Sequence, residues 1–448
     1  QELTALMNQN SRNSSWPSSR DKSRRQKRKL SLRKKSEKKA GGQKGHQGQT
    51  LELRTNPTHI ETHRPQVCNH CQTPFYETQS AATITKRQVV DIPPLEIEVT
   101  EHQVETLLCS CCGATSSGDF PRAVTNAVQY GPGIQQLAIY LKIQQFVPFE
   151  RSRQFFADLF DLSLSPGTLQ NFIKKAAQRL QPVTEQIKNA LTGSAVVHFD
   201  ESGFYIDGKR YWFHTAGTAT LTAYHPDHSR GKQATDEMDI LPRFWGTAVH
   251  DHWSPYWRYK ACRHALCNVH HLRERNGIVE NCKQRWAERF KTFLLAAQKA
   301  VDQAKLDGLT ALPTPKVAQI ERLYAQLVTA ALQANPPPPA GWPQGKRGWP
   351  KKNKARNLAE RFEKHQSAVL AFVYDLKVPF DNNLAERDIR MVKVQQKVSG
   401  CFRSWQGAED FCTIRSYIST IRKQELSVWQ ALGSVFSGDI LMPDLTPV

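Results

Sequence analysis

Acids that close apolar runs are the first residues of this 448-residue chain with types and spacing suited to chemistry. Ala195-Val196-Val197-His198-Phe199 delivers Asp200, and Gly246-Thr247-Ala248-Val249-His250 delivers Asp251. Two carboxylates brought together repel unless they hold a cation, and hard oxygen ligands suit Mg2+ or Mn2+. A third acid lies in Asp381-Asn382-Asn383-Leu384-Ala385-Glu386-Arg387-Asp388-Ile389-Arg390-Met391-Val392-Lys393, which reads as a helix with Asp381 as its N-cap. Ala385, Ile389 and Val392 form its apolar stripe, while Asn383, Glu386, Arg390 and Lys393 fall at spacings of 3, 4 and 3 on another face. A metal ligand flanked by phosphate-binding cations has this pattern, and so does a solvated charged face. Asp388 is the competing acid, off the polar stripe.

Thiols supply a second chemistry. Cys68-Asn69-His70-Cys71 and Cys109-Ser110-Cys111-Cys112 are separated by 37 residues. Two such knuckles place four thiolates around one tetrahedral ion, so Cys68, Cys71, Cys109 and Cys112 read as structural Zn2+ ligands, with Cys111 the ambiguity. A redox dithiol is the competitor, but the βαβ context it requires is missing. Cys267-Asn268-Val269-His270 has the spacing of half a zinc site with no second half nearby, and is read as packing and positioning beside the acids. His250 and His252 flank Asp251 and raise a His/Asp zinc hydrolase as a rival; the lack of an H-E-x-x-H or comparable spacing counts against it.

The elements that must position these residues follow from local pattern. After the strand bearing Asp200 comes a hairpin, with Asp207-Gly208 as its turn, then the strand TLTAYHPDH, the helix KQATDEMDIL and the strand bearing Asp251. Three sequential strands, a helix and a fourth strand is the order of a ribonuclease-H-like mixed sheet, whose first and fourth strands are neighbours. Upstream, residues 133–180 read as three helices, the last begun by Ser165-Pro166 as cap and first turn and bearing Asn171, Lys174 and Lys175. That is a helix-turn-helix-like pattern for DNA contact, though simple packing units share it. The 134 residues between Asp251 and Glu386 exceed what a bare core needs, and residues 283–332 read as a long helical insertion, closed by the Pro-rich stretch Asn335 to Lys354. The segment between the two knuckles alternates apolar and polar residues like the strands of a small ribbon.

Charge points to the partner. The net charge is +20, and residues 20–44 alone hold 13 Lys or Arg against Asp21 and Glu37. A field of that sign attracts polyanions, so the segment is read as a phosphate-contacting arm, with a solubilising tail as the plain alternative. No run approaches the ~20 apolar residues of a spanning helix. Ten Cys are too sparse for a disulfide scaffold, and the first residues show no apolar h-region of a secretory signal; the expectation is a cytoplasmic, nucleoid-associated protein with no membrane partner.

The motifs QNSRNSSWPSS, GGQKGHQGQTL, the paired knuckles, YGPGIQQLAIYL and LSPGTLQNFI resemble the N-terminal half of insertion-sequence-66-family transposases. FDESGFYIDGKRYWFHTAGT, SRGKQATDEMDIL, GTAVHDHWSPY, CNVHHLRE and VPFDNNLAERDIRMVKVQQKVSGCFRS resemble their catalytic half, in the same order. The family's usual Cys-Pro-x-Cys knuckle has Asn69 and Ser110 in place of proline, which removes no ligand, and ELTALMNQN resembles a remnant of its coiled coil. The resemblance implies an acid-triad transposase on a ribonuclease-H-like core, with Asp200, Asp251 and Glu386 as the triad. Two divalent ions about 3.5 to 4 Å apart would bridge the scissile phosphate, Asp200 touching both. Arg390 and Lys393 would hold phosphates near the break, and Lys174 and Lys175 would contact DNA from the helical domain.

The fold expected is thus multidomain α/β: a disordered basic arm over 1–50, a zinc ribbon over 51–125, a helix-turn-helix-like domain over 126–190, and a ribonuclease-H-like core over 191–282 and 376–448. An α-helical insertion with the Pro-rich linker occupies 283–375. The expected partners are double-stranded transposon-end and target DNA and further copies of the chain. A non-catalytic DNA-binding descendant and a structure-specific nuclease on the same core are the alternatives.

Overall fold

A computed structural model describes residues 51–337 and 353–447. The basic arm and most of the Pro-rich linker lie outside the described residues. The described residues divide into two units, one over 51–99 and the other from 100 onward.

In the first unit, residues 51–99 carry little regular structure. Cys68 opens a tight turn whose amide bonds the Thr73 carbonyl (2.9 Å), and Val67 bridges Pro74. The expected ribbon strands over 87–108 are largely absent. Pro93-Pro94 removes backbone donors mid-segment, and of that segment only Thr106–Leu108, which falls in the second unit, is a strand. That strand, β1, pairs antiparallel with β2 (Thr115–Ser117) across the second knuckle.

The rest of the second unit is built on one mixed sheet. Helix α1 (Pro132–Ile139) runs into a π-helical turn, Tyr140–Gln144. Helix α2 (Phe149–Phe160) ends at Asp161 in the left-handed conformation, and α3 (Pro166–Thr192) starts where expected, with the Ser165 hydroxyl accepting the Thr168 amide at 3.0 Å. α3 continues past Leu180 through Pro182, because its apolar stripe persists to Ile187. Strands β3 (Val196–Ile206) and β4 (Lys209–Gly217) form the hairpin, with Asp207 and Gly208 both at positive φ (45° and 74°) as a two-residue turn requires. β5 (Thr222–Asp227), α4 (Lys232–Glu237) and β6 (Thr247–His250) follow. A fifth strand not expected from the sequence, β7 (Arg263–Leu266), completes the order β5-β4-β3-β6-β7, with β3, β6 and β7 parallel.

Helix α5 (Asn268–Cys282) leads into α6 (Arg285–Leu306), α7 (Thr314–Gln333), α8 (Lys354–Lys364) and two single turns, α9 (Gln366–Val369) and α10 (Ala371–Tyr374). These have their own core, in which Phe290 stacks on Phe362 at 4.1 Å and the Tyr324 hydroxyl donates to the Phe362 carbonyl at 2.8 Å. The chain then returns to the sheet as α11 (Asn383–Ser399), α12 (Trp405–Lys423) and α13 (Val428–Ser437). The helices over 132–192 share a single hydrophobic core with the sheet and α12, so that core runs across the boundary expected near residue 190. Among the described residues no helix is long and apolar enough to cross a membrane.

Candidate active site

Strand pairing brings the first two acids together. β3 and β6 are parallel neighbours with Val196 opposite Thr247 and His198 opposite Val249. The same offset sets Asp200, within β3, beside Asp251, just past the end of β6. α11 lies across β3 and β4 and contributes Glu386 from its first turn. Ala385, Ile389 and Val392 are its buried stripe, as the sequence pattern requires.

The acids act on one another electrostatically. Burial, then the charges of Glu201, Asp251 and Glu386, push the Asp200 carboxyl well above the usual carboxylate range. Burial also raises Asp251, against a 2.8 Å hydrogen bond from the Trp253 amide to its Oδ1. Glu386 has His270 Nδ1 at 3.7 Å and an Arg273 nitrogen at 3.8 Å, and its Oε1 is buried without a hydrogen-bond partner. Buried acids that repel one another and leave an oxygen unsatisfied are the donor set a hard divalent cation fits.

Asn382 ties the three acid-bearing segments together, and sequence reasoning missed it. Its Nδ2 donates to the carbonyl of Phe199, next to Asp200, at 2.8 Å, and its Oδ1 meets His198 Nδ1 at 2.8 Å. Its amide donates to Cys267 Sγ at 3.2 Å, while the Cys267 amide bonds the His250 carbonyl, next to Asp251, at 3.0 Å. Its own carbonyl accepts the Glu386 amide at 3.1 Å. The helix starts one residue later than an Asp381 cap would give: Asp381 Oδ1 accepts the Asn383 amide at 3.0 Å, and Asn382 takes the N-cap position. The Asp-Asn-Asn run was the available signal.

Glu201 was also missed. Its buried carboxylate accepts from Arg230 Nε at 2.8 Å and from the Tyr256 hydroxyl at 2.6 Å, and the Arg230 guanidinium lies 3.8 Å over the Trp253 ring. Glu201 is therefore committed, despite standing next to Asp200. Asp388 is committed too, accepting from Lys423 Nζ at 2.6 Å and Thr222 Oγ1 at 3.2 Å.

Of the cations on α11, Arg390 is exposed and lines a cleft of about 530 Å3 with His198, Asp381, Asn383 and Arg387. Lys393 instead donates to the Gly203 carbonyl on β3, and burial lowers its ammonium. Lys174 and Lys175 are exposed on α3 beside Asn171. His250 is turned away from the rival role: it is fully buried, with its Nε2 2.9 Å from His264 Nδ1 and its Nδ1 against the Asp251 carbonyl, so both ring nitrogens are taken; burial drives it down to about 3. Cys267 and His270 do stand beside the acids, around Glu386.

Each knuckle closes a tight turn, the Gln72 amide donating to the Cys68 carbonyl and the Gly113 amide to the Cys109 carbonyl, both at 2.9 Å. Hydrogen bonds from Thr73 hold the Cys71 thiol below its ordinary range, and the amides of Cys112 and Cys111 do the same for Cys109. The thiolate is the form a metal takes.

An α/β protein with paired cysteine knuckles earlier in the chain than a mixed sheet, and an acid cluster where β6 ends against β3, is the class that fold and site define. Residues 127–410 match the model of the transposase IS66 family, and residues 65–113 match the zinc-finger binding domain of transposase IS66. The first match spans well over half of the sequence, and the chain belongs to the IS66 family of transposases. DNA transposition and DNA binding are the functions that family carries, and its zinc-finger domain supports a structural Zn2+. A search among curated proteins finds no match.

Proposed function

We propose that this protein binds transposon-end DNA and catalyses strand cleavage and strand transfer by metal-dependent phosphoryl transfer, on a ribonuclease-H-like core. The observation that carries the reading is the convergence of three buried or half-buried acids from separate elements, Asp200 on β3, Asp251 after β6 and Glu386 on α11, where burial and the charges of Glu201, Asp251 and Glu386 raise the Asp200 carboxyl. The strand order β5-β4-β3-β6-β7 supports the core assignment.

Asp200, Asp251 and Glu386 would hold Mg2+ or Mn2+. Bound there, such ions supply activation of water or a DNA 3′-OH and charge stabilisation at the leaving oxygen. The chain's own groups do the rest. The Trp253 amide orients Asp251. Asn382 fixes the start of α11 against β3, so Glu386 faces Asp200. Arg390 is placed to hold a DNA phosphate, as are Lys174 and Lys175 on the helix-turn-helix-like α2–α3 pair. Lys393 serves α11 instead by anchoring it to Gly203. Cys68, Cys71, Cys109 and Cys112 are the expected ligands of the structural Zn2+, and end synapsis would require a homo-oligomer on DNA.

Incubation with candidate transposon-end DNA and Mg2+, scoring nicking and joining separately, tests the reading. Joined product is expected. Nicking without joining would favour a structure-specific nuclease, and binding with neither would favour a non-catalytic descendant.

A further inference from the structure

The Cys-x-x-H spacing at Cys267 and His270 is half of a metal site, and the fold supplies a third ligand from far along the chain. Cys267 Sγ, a His270 ring nitrogen and a Glu386 carboxylate oxygen all lie within 4.8 Å of one another. His270 Nδ1 and Glu386 Oε1 are 3.7 Å apart. Two nitrogen and oxygen ligands at ~2.0–2.1 Å from one tetrahedral zinc are separated by ~3.4 Å, so this pair needs little adjustment to share an ion.

Two further observations point to a ligand. His270 Nδ1 and Glu386 Oε1 are both buried and neither has a hydrogen-bond partner. Such groups are ordinarily satisfied in a folded protein, and two of them facing each other mark the place of something that bonds both. Cys267 is only 1% exposed and is the N-cap of the fifteen-residue α5, which fixes its sulfur beside His270, one turn into the same helix. Its sulfur accepts the Asn382 amide at 3.2 Å, the kind of outer hydrogen bond that orients metal thiolates.

We propose that Cys267, His270 and Glu386 form a binding site for a thiophilic divalent ion of the zinc, cobalt or cadmium class, distinct in chemistry from the hard-cation acid cluster and sharing Glu386 with it. Binding replaces the Cys267 thiol proton with the ion and releases that proton to solvent. Sulfur and imidazole select against Mg2+. With Glu386 drawn to this ion, the acid cluster loses its third ligand, so thiophilic ions oppose Mg2+-dependent cleavage; that consequence alone rests on the catalytic reading above, and the binding does not.

The test is titration of the full-length protein with Co2+ in the absence of DNA, following thiolate-to-cobalt charge-transfer absorption and bound metal per chain. Cys267→Ala and His270→Ala are each expected to bind one equivalent fewer than wild type, while Cys68→Ser keeps that equivalent. Equal stoichiometry and equal absorption in wild type and Cys267→Ala would overturn the site. Should Cys267→Ala fail to fold, Glu386→Gln, which keeps the side chain's shape, is expected to weaken this cobalt site by at least about tenfold. Unchanged affinity there would overturn it equally. DNA cleavage plays no part in either measurement, so loss of the site and loss of the catalytic reading are told apart.

Discussion

Asp388 and Glu386 are two residues apart on one helix and have opposite surroundings. Asp388 is satisfied by Lys423 and Thr222, whereas Glu386 acts on Asp200 through its charge and keeps a buried oxygen without a hydrogen-bond partner. Asp388→Asn therefore weakens a buried charge pair and is expected to lower stability by about 1–3 kcal/mol, read by denaturant unfolding, with cleavage retained. Histidine burial gives a pH prediction. His250 is held down to about 3, so below the unfolded value near 6.5 the unfolded chain binds a proton the folded one does not. This depressed group contributes stability above pH ~6.5 and loses it as pH falls, by up to ~1.4 kcal/mol per unit. Between pH 6 and 4 the stability of His250→Gln is expected to fall less steeply than wild type by about that slope. Parallel pH profiles for the two proteins would contradict it.

Elements position these residues with small tolerances. Gly246 enters β6 where an added Cβ would lie 2.6 Å from the carbonyl oxygens of both Ser194 and Ala195. Gly246→Ala must push β6 from β3, moving Asp251 from Asp200. The expectation is a loss of about 1–3 kcal/mol in stability, with cleavage falling much further than DNA binding. Much at this scale was legible in the sequence, because it is written in short-range patterns. The Asp-Gly turn, the Ser165 cap, the strands delivering Asp200 and Asp251 and the stripe on α11 all depend on neighbours within a few residues. What escaped was set at long range. β7 is only four residues long, and Asn382 acts through Phe199 and Cys267, more than a hundred residues away. Glu201 is neutralised by Arg230 from a different element. Alternation between the knuckles was over-read as strands because pattern alone did not weigh the Pro93-Pro94 break.

At the scale of the whole molecule, charge and metal content carry the predictions. Deleting residues 20–44 removes 13 cations, and the log–log salt dependence of DNA binding is expected to flatten. Unchanged slope and affinity would leave the arm a solubilising tail. Cys68→Ser is expected to lose the structural zinc, read as metal content, and to weaken DNA binding. The central claim is that Asp200, Asp251 and Glu386 act as one cation-holding unit, and it is tested most directly by replacing each and measuring cleavage and joining alongside affinity for the same end DNA. Asp200→Ala, Asp251→Ala and Glu386→Gln are each expected to lose several orders of magnitude in cleavage and joining while binding DNA about as tightly as wild type. Cleavage that survives in Glu386→Gln but disappears in Asp388→Asn would contradict the account.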